Sequence, residues 1–285
     1  HARPEFREPH QPRSFAIAAA CTDGDTTTDA SDAGNDGSGA PSPWRLVWSD
    51  EFDGSAQSPP DPRWWSHDVG GDGWGNEQLE YDTDRLDNAA LDGSGHLLIT
   101  ARRELFGGRS YTSARITTKG KVEVYQGRIE ARMQMPLGSG LWPAFWMLGS
   151  NIDQVAWPAC GEIDVVEYRG QQPGIANAAI HGPGYSAGQA LHDSAAIAGG
   201  GLHRDFHLYA VEWGGDEIRW FVDNVQVFAA HRDDLPPLTK WAFDQPFFLI
   251  LNLAVGGTYV GPVGSDTQFP QTLTVDYVRV YVPAR

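Results

Sequence analysis

Three carboxylates occupy the six positions Glu162-Ile-Asp-Val-Val-Glu167. Like charges this close repel, and the intervening residues are β-branched and apolar, which favours a strand. On a strand Glu162 and Asp164 share a face, whereas Glu167, five positions after Glu162, turns to the other. One extra residue at Val165–Val166, a β-bulge, returns Glu167 to the first face. Glu162 and Glu167 then stand roughly 13 Å apart at Cα, at about 3.3 Å per strand step. On a concave sheet their side chains tip together toward the roughly 5–5.5 Å at which a nucleophile and an acid/base cleave a glycoside with retention. Asp164 between them repels negative charge, which helps keep Glu167 protonated and holds Glu162 through a shared proton. The rival readings are an acidic solvated face and a cation site. A solvated face usually mixes in Lys, Ser or Thr, and none occurs from Trp157 to Tyr168. A calcium loop needs a flexible Gly-containing turn rather than a Val-rich strand.

The elements that must position this strip lie in a chain of 285 residues with net charge −16. Such acidity argues against nucleic acid or an anionic membrane as partner, and no apolar run approaches a membrane-spanning segment. Two cysteines, Cys21 and Cys160, make no disulfide framework, and neither has a nearby His to activate it as a nucleophile. Residues 1–21 read as a secretion or lipoprotein signal remnant, with Cys21 as the lipidated residue, or as a start of artificial origin. Residues 22–43 hold five Asp and no Leu, Ile, Val or aromatic residue, the composition of a disordered linker. All 11 Trp lie at or after Trp44, so residues 44–285 are expected to form the folded domain that carries the carboxylate strip. The protein is expected to be secreted or held at the cell surface, and to act as a monomer.

Period-2 alternation recurs through this domain. Ile129, Ala131, Met133 and Met135 share one face, with Arg128, Glu130, Arg132 and Gln134 on the other. A hairpin is expected to turn at Asp223–Asn224, and Phe247–Val255 reads as a buried strand. No amphipathic helix exceeds about two turns. Many strands punctuated by Gly and Pro predict an all-β, antiparallel β-sandwich (jelly roll) with a concave cleft for a polymer. Strand signals fade over Gly182–Leu202, where loops are expected to shape the cleft ends. Trp142, Trp146 and Trp157 flank the strip in sequence, and indole faces beside carboxylates suit sugars. His203 and His207 at i,i+4 could bind zinc on a helix. They lead into an apparent strand from Phe206 to Trp213, where that offset separates the rings by roughly 13 Å. The Gly-rich runs 70–75 and 199–201 lack a phosphate-loop Lys and read as turns.

Eight segments in order then resemble glycoside hydrolase family 16, particularly its bacterial endo-β-1,3-glucanases: Trp48–Asp53, Gly73–Tyr81, Tyr111–Arg115, Gly140–Trp146, Gly161–Glu167, Phe206–His207, Asn252–Gly257 and Asp276–Val280. The resemblance implies Glu162 as nucleophile, Glu167 as general acid/base and Asp164 as electrostatic helper. It implies sugar contacts from Asn76, Arg115, Trp146, Trp157, His181 and Trp241, a β-glucan as partner, and no cofactor for the chemistry. It also implies a structural calcium held by the carbonyls of Glu51 and Gly95 and the carboxylate of Asp276. A bulged six-residue motif resembles that of laminarinases, whereas lichenases, which cut mixed-linkage β-1,3-1,4-glucan, carry a version one residue shorter. A mixed-linkage β-1,3-1,4-glucanase or another polysaccharide specificity of the family, and a non-catalytic glucan-binding sandwich, are the alternatives; the last is expected to lose one Glu of the pair.

Overall fold

The computed structural model describes residues 15–18, 42–199 and 201–284, so the expectations for Cys21 and for positions 22–41 fall outside the described residues. Two large sheets share one core. The first runs through Phe15–Ala18, Val122–Tyr125, Phe247–Val255, Leu141–Gly149, Glu162–Glu167, Ile175–His181 and Leu191–Ala196, with Arg115–Thr117 also on Phe247–Val255. Apart from the parallel pairing of Phe15–Ala18 onto Val122–Tyr125, its ladders are antiparallel. The second sheet runs through Val225–His231, Glu217–Val222, His207–Gly214, Gly127–Gln134, Gln271–Pro283, Leu97–Ala101 and Ala89–Leu91. The long strand Gln271–Pro283 pairs with Leu97–Ala101 through its first part and with Trp44–Asp50 through its second.

Alternation built this sandwich as expected. Ile129, Ala131, Met133 and Met135 are buried in the same core cluster as Phe145, Met147, Leu249 and Leu251 from the facing sheet. The opposite face of Gly127–Gln134 departs from a plain solvated surface: Arg128 donates to Glu130 at 2.7 Å and to Glu212 at 3.1 Å, and both Arg128 and Glu130 are buried. The hairpin turns at Asp223 and Asn224, whose φ values are 49° and 62°. Two consecutive positive φ angles suit a turn twisted with its strands, and Asn and Asp tolerate them. Among the described residues the sole α-helix is the four-residue Ile152–Val155.

Two local expectations shift. The strand after the histidine pair begins at His207 rather than Phe206, and the His207 ring engages Asp223 at 2.7 Å. Within Gly182–Leu202, Leu191–Ala196 forms an edge strand on Ile175–His181. Its sequence, LHDSAA, has no β-branched residue and its side chains are mostly exposed. Backbone pairing to a formed neighbour therefore decides its conformation, not intrinsic preference.

Candidate active site

Cross-strand register arranges the open face of the first sheet in rows. Leu148, Glu162 and His181 lie side by side; then Ile250, Trp146, Asp164 and Ala179; then Arg115, Asn252, Ala144, Glu167 and Asn177. The bulge falls where the spacing places it. Asp164 faces Trp146 and Val166 faces Phe145, leaving Val165 unmatched; on the other flank Asp164 and Glu167 face Ala179 and Asn177. Val165 and Val166 both belong to the core, so two consecutive side chains point inward and the alternation resets. The ladder interruption frees the Asp164 carbonyl, and the indole N–H of Trp220, from the other sheet, donates to it at 2.8 Å. A buried carbonyl left without a partner would cost about 1–3 kcal/mol, so Trp220 is a stabilising pin on the bulge.

Each outer carboxylate has its own indole donor. Trp157 Nε1 donates to Glu162 Oε2 at 2.7 Å, and Trp142 Nε1 donates to Glu167 Oε1 at 3.0 Å. The Ala187 N–H donates to Nδ1 of His181 at 3.1 Å, which leaves the ring proton of neutral His181 on Nε2. That nitrogen lies 3.1 Å from Asp164 Oδ2 and 3.8 Å from Glu162 Oε1. The polar atoms of Glu162, Asp164 and His181 fall within 4.8 Å of one another, close enough to hold a metal ion. The tautomer points a proton at that space rather than a lone pair, which favours proton sharing over metal ligation.

Burial dominates the electrostatics. It pushes the Glu162 carboxyl up to about 8, with the charge of Asp164 adding to the shift and His181 and Trp157 opposing it. Burial likewise raises Asp164 to about 7. Glu167 rises well above the usual carboxylate range, by burial first and then by the charges of Asp164 and Glu162. A cluster this closely linked takes up protons as a unit.

The other expected sugar contacts divide. Arg115 lies with its guanidinium carbon 4.7 Å from the Trp74 ring centre and 4.8 Å from that of Trp146, and its Nε donates to Asp68 at 3.0 Å. Trp146 Nε1 donates to Asn252 Oδ1 at 2.8 Å, so Arg115 and Trp146 belong to the same open face as the carboxylates. Trp157 is 44 % exposed, as a platform for a ligand requires. Asn76 sits in an exposed loop whose carbonyl accepts from the Thr258 N–H at 2.8 Å. Trp241 differs: it is buried against Phe243 with Arg232 over its ring, and its segment approaches Glu162 through Ala242, which packs on Gly161.

Sequence reasoning missed three neighbours of the strip and a further acidic pair. Trp74, at φ 50°, supplies the second ring around Arg115. Asn252 orients Trp146, and Tyr259 packs on Trp142 with ring centres 4.8 Å apart. Glu80 and Asp82 form a second buried acidic pair; Glu80 accepts from the Val255 N–H at 2.8 Å, and burial raises both carboxyls, Asp82 to about 7. The alternation in Glu80-Tyr-Asp82 was a usable signal for that pair.

A sandwich with a paired-carboxylate strip on a bulged strand is a glycoside-hydrolase arrangement, and residues 74–279 match the model of glycosyl hydrolases family 16, to which the chain belongs. The chain is 44 % identical over 256 residues to a beta-glucanase of Rhodothermus marinus, covering 87 % of this chain and 88 % of that protein. It superposes on the laminarinase catalytic domain of Thermotoga maritima with a TM-score of 0.81 at 43 % identity, over 86 % of this chain and all of that one. The endo-beta-1,3-glucanase of Pyrococcus furiosus gives 0.80 at 40 % identity, over 85 % of this chain and 95 % of that one. The all-β fold and the family read from the sequence agree with these findings. Among the described residues no helix is long and apolar enough to cross a membrane.

Proposed function

We propose that this chain is a retaining endo-hydrolase of β-1,3-glucan. The observation that carries the reading is the bulge, which sets Glu162 and Glu167 on one face with a separate indole donor for each. Glu162 attacks the anomeric carbon while Glu167 protonates the departing glycosidic oxygen; Glu167 then takes a proton from the water that releases the glycosyl-enzyme. Asp164 and His181 share the proton that Glu162 must shed to become a nucleophile. Arg115, Trp142, Trp146 and Trp157 line the sugar path beside these groups, with Asn76 at its rim, whereas Trp241 supports the wall from behind. The glucan linkage is supported by the similarity to the Thermotoga maritima laminarinase domain and the Pyrococcus furiosus endo-beta-1,3-glucanase. Laminarin is expected to release short oligosaccharides throughout digestion, with lichenan slower and agarose inert, and early-product NMR is expected to show the β-anomer first. Inversion at the anomeric carbon would sink the covalent step, and preference for lichenan would sink the linkage assignment. A polymer substrate argues for export, which the linker composition also supports.

A structural calcium fits the residues at the far side of the fold. A Cβ on Gly95 would lie 3.9 Å from the Glu51 carbonyl, and the Glu51 carboxylate is occupied by Arg279 at 2.9 and 2.8 Å, so the carbonyl is its available donor. Asp50 pairs with Val278, which brings Glu51 beside the Asp276 stretch. Arg132 engages Oδ2 of Asp276, leaving Oδ1 for a cation. The ion would cross-link strands and supply no chemistry. Chelation is expected to lower the melting temperature by about 3–10 °C, with recovery on adding calcium. An Asp276→Ala variant that keeps the full response would move the ion elsewhere.

A further inference from the structure

The wall beside Glu167 contains two residues that the proposed reaction does not use. Tyr259 packs on Trp142 with ring centres 4.8 Å apart, and the Arg169 guanidinium carbon lies 3.9 Å from the Tyr259 ring centre. Arg169 and Trp142 are cross-strand neighbours, bracketed by the bonds Tyr168 N–H to the Pro143 carbonyl and Gly170 N–H to the Leu141 carbonyl. Tyr259 therefore rests on two adjacent side chains of the open face. Among the described residues Arg169 makes no ion pair with a carboxylate, and its buried Nε has no hydrogen-bond partner. The loop carrying Tyr259 is tied on both sides of the ring: Thr258 N–H donates to the Asn76 carbonyl at 2.8 Å, and Gln171 Nε2 donates to the Val260 carbonyl at 2.8 Å.

These contacts converge on one bond. Trp142 Nε1 donates to Glu167 Oε1 at 3.0 Å, which leaves Oε2 as the oxygen that can carry a proton outward. We propose that Tyr259, clamped by Arg169, is a positioning residue for the general acid: it fixes the Trp142 indole, and the indole fixes which oxygen of Glu167 faces the glycosidic bond. An unclamped indole can rotate about its side-chain torsions, and the Glu167 carboxyl would then lose its single orientation. Tyr259 touches no reacting atom; it acts through Trp142. The inference rests on Glu167 being the acid/base.

The test compares kcat/KM on aryl β-laminaribiosides whose leaving groups differ in their need for protonation. Dinitrophenolate leaves unaided, whereas phenolate requires the acid. Tyr259→Ala is expected to lose about 10–100-fold on the phenyl substrate and on laminarin, and at least about tenfold less on the dinitrophenyl substrate. Tyr259→Phe, which keeps the ring, is expected to recover most of that loss, and Arg169→Gln to fall between the two. The Trp142 bond favours the charged form of Glu167, so its loss in Tyr259→Ala also moves the alkaline limb of the pH profile upward. Equal losses on both aryl substrates with an unmoved alkaline limb would overturn the proposal and leave a sugar contact or a packing role. Far-UV circular dichroism and melting temperature separate misfolding from either result, and the Arg169→Gln variant, read on the same two aryl substrates, carries the test if the Ala variant does not fold. Glu167→Ala run on the same pair is the control: no leaving-group dependence there sinks the acid/base assignment itself, a failure distinct from that of Tyr259.

Discussion

Replacing Glu162 or Glu167 by alanine is expected to lower laminarin turnover by at least about 10²–10⁴-fold, and azide is expected to tell the two variants apart. Glu162 and Glu167 differ in partners and in the charge they meet, so losing each leaves a different half of the machinery. Without Glu167 an activated aryl glycoside still forms the glycosyl-enzyme on Glu162. Azide then displaces Glu162 from the open side, and the product is a β-glycosyl azide. Without Glu162 there is no covalent intermediate. Azide occupies the vacated space and attacks the anomeric carbon directly while Glu167 protonates the departing oxygen, which gives the α-glycosyl azide. The anomeric configuration of the product therefore assigns the roles. Near wild-type hydrolysis by either variant, or one anomer from both, would remove the assignment.

The wild-type protein is expected to lose stability as pH rises from about 4 to 8, by at least about 5 °C in melting temperature. The sign follows from the raised carboxyls. Glu162 at about 8, Asp164 at about 7 and Asp82 at about 7 all hold protons in the folded chain that the unfolded chain has already released above its ordinary carboxylate values of 4.5 and 3.8. In that window the native state binds more protons, so each pH step upward favours unfolding. Above about 8 the loss flattens as the native groups also ionise. Glu162→Gln removes one charge and one repulsion, so its slope is expected to be shallower and its melting temperature at pH 8 higher than wild type, at the expense of activity. The slope does not vanish, because Glu80 and Asp82 remain buried elsewhere. A wild-type melting temperature that climbs from pH 5 to 8 would contradict the burial of these groups.

The strip was legible because its signals are local. Residue type marked the strand, the period of two marked the faces, and the one surplus residue marked the bulge, which the register reproduces at Val165. The core face of Gly127–Gln134 and the Asp223–Asn224 turn were readable for the same reason. What the sequence hid depends on partners far along the chain. Trp220 lies 56 positions from the carbonyl it holds, and nothing near Asp164 announces a donor from the opposite sheet. Arg115 gained its two rings only when Trp74 and Trp146 were brought together. Trp241 carried a resemblance-based sugar role, yet packing with Phe243 covers its ring. An aromatic residue suits a core and a sugar platform equally well, so its type alone cannot separate the two.

The bulge also governs how this site can change over generations. Val165 and Val166 are core residues and at the same time the spacer between Glu162 and Glu167. The spacer therefore cannot lengthen or shorten by degrees; it varies in steps of one codon. Losing one valine restores plain alternation and keeps both glutamates on the open face, whereas gaining one also makes the spacing even but, without the bulge, parts the glutamates by two further strand steps and turns a valine outward between them. Deletion is a route lineages can follow and insertion is a dead end. Divergence at this strand should consequently come in two discrete forms, while gradual adaptation is left to the loops at its margins.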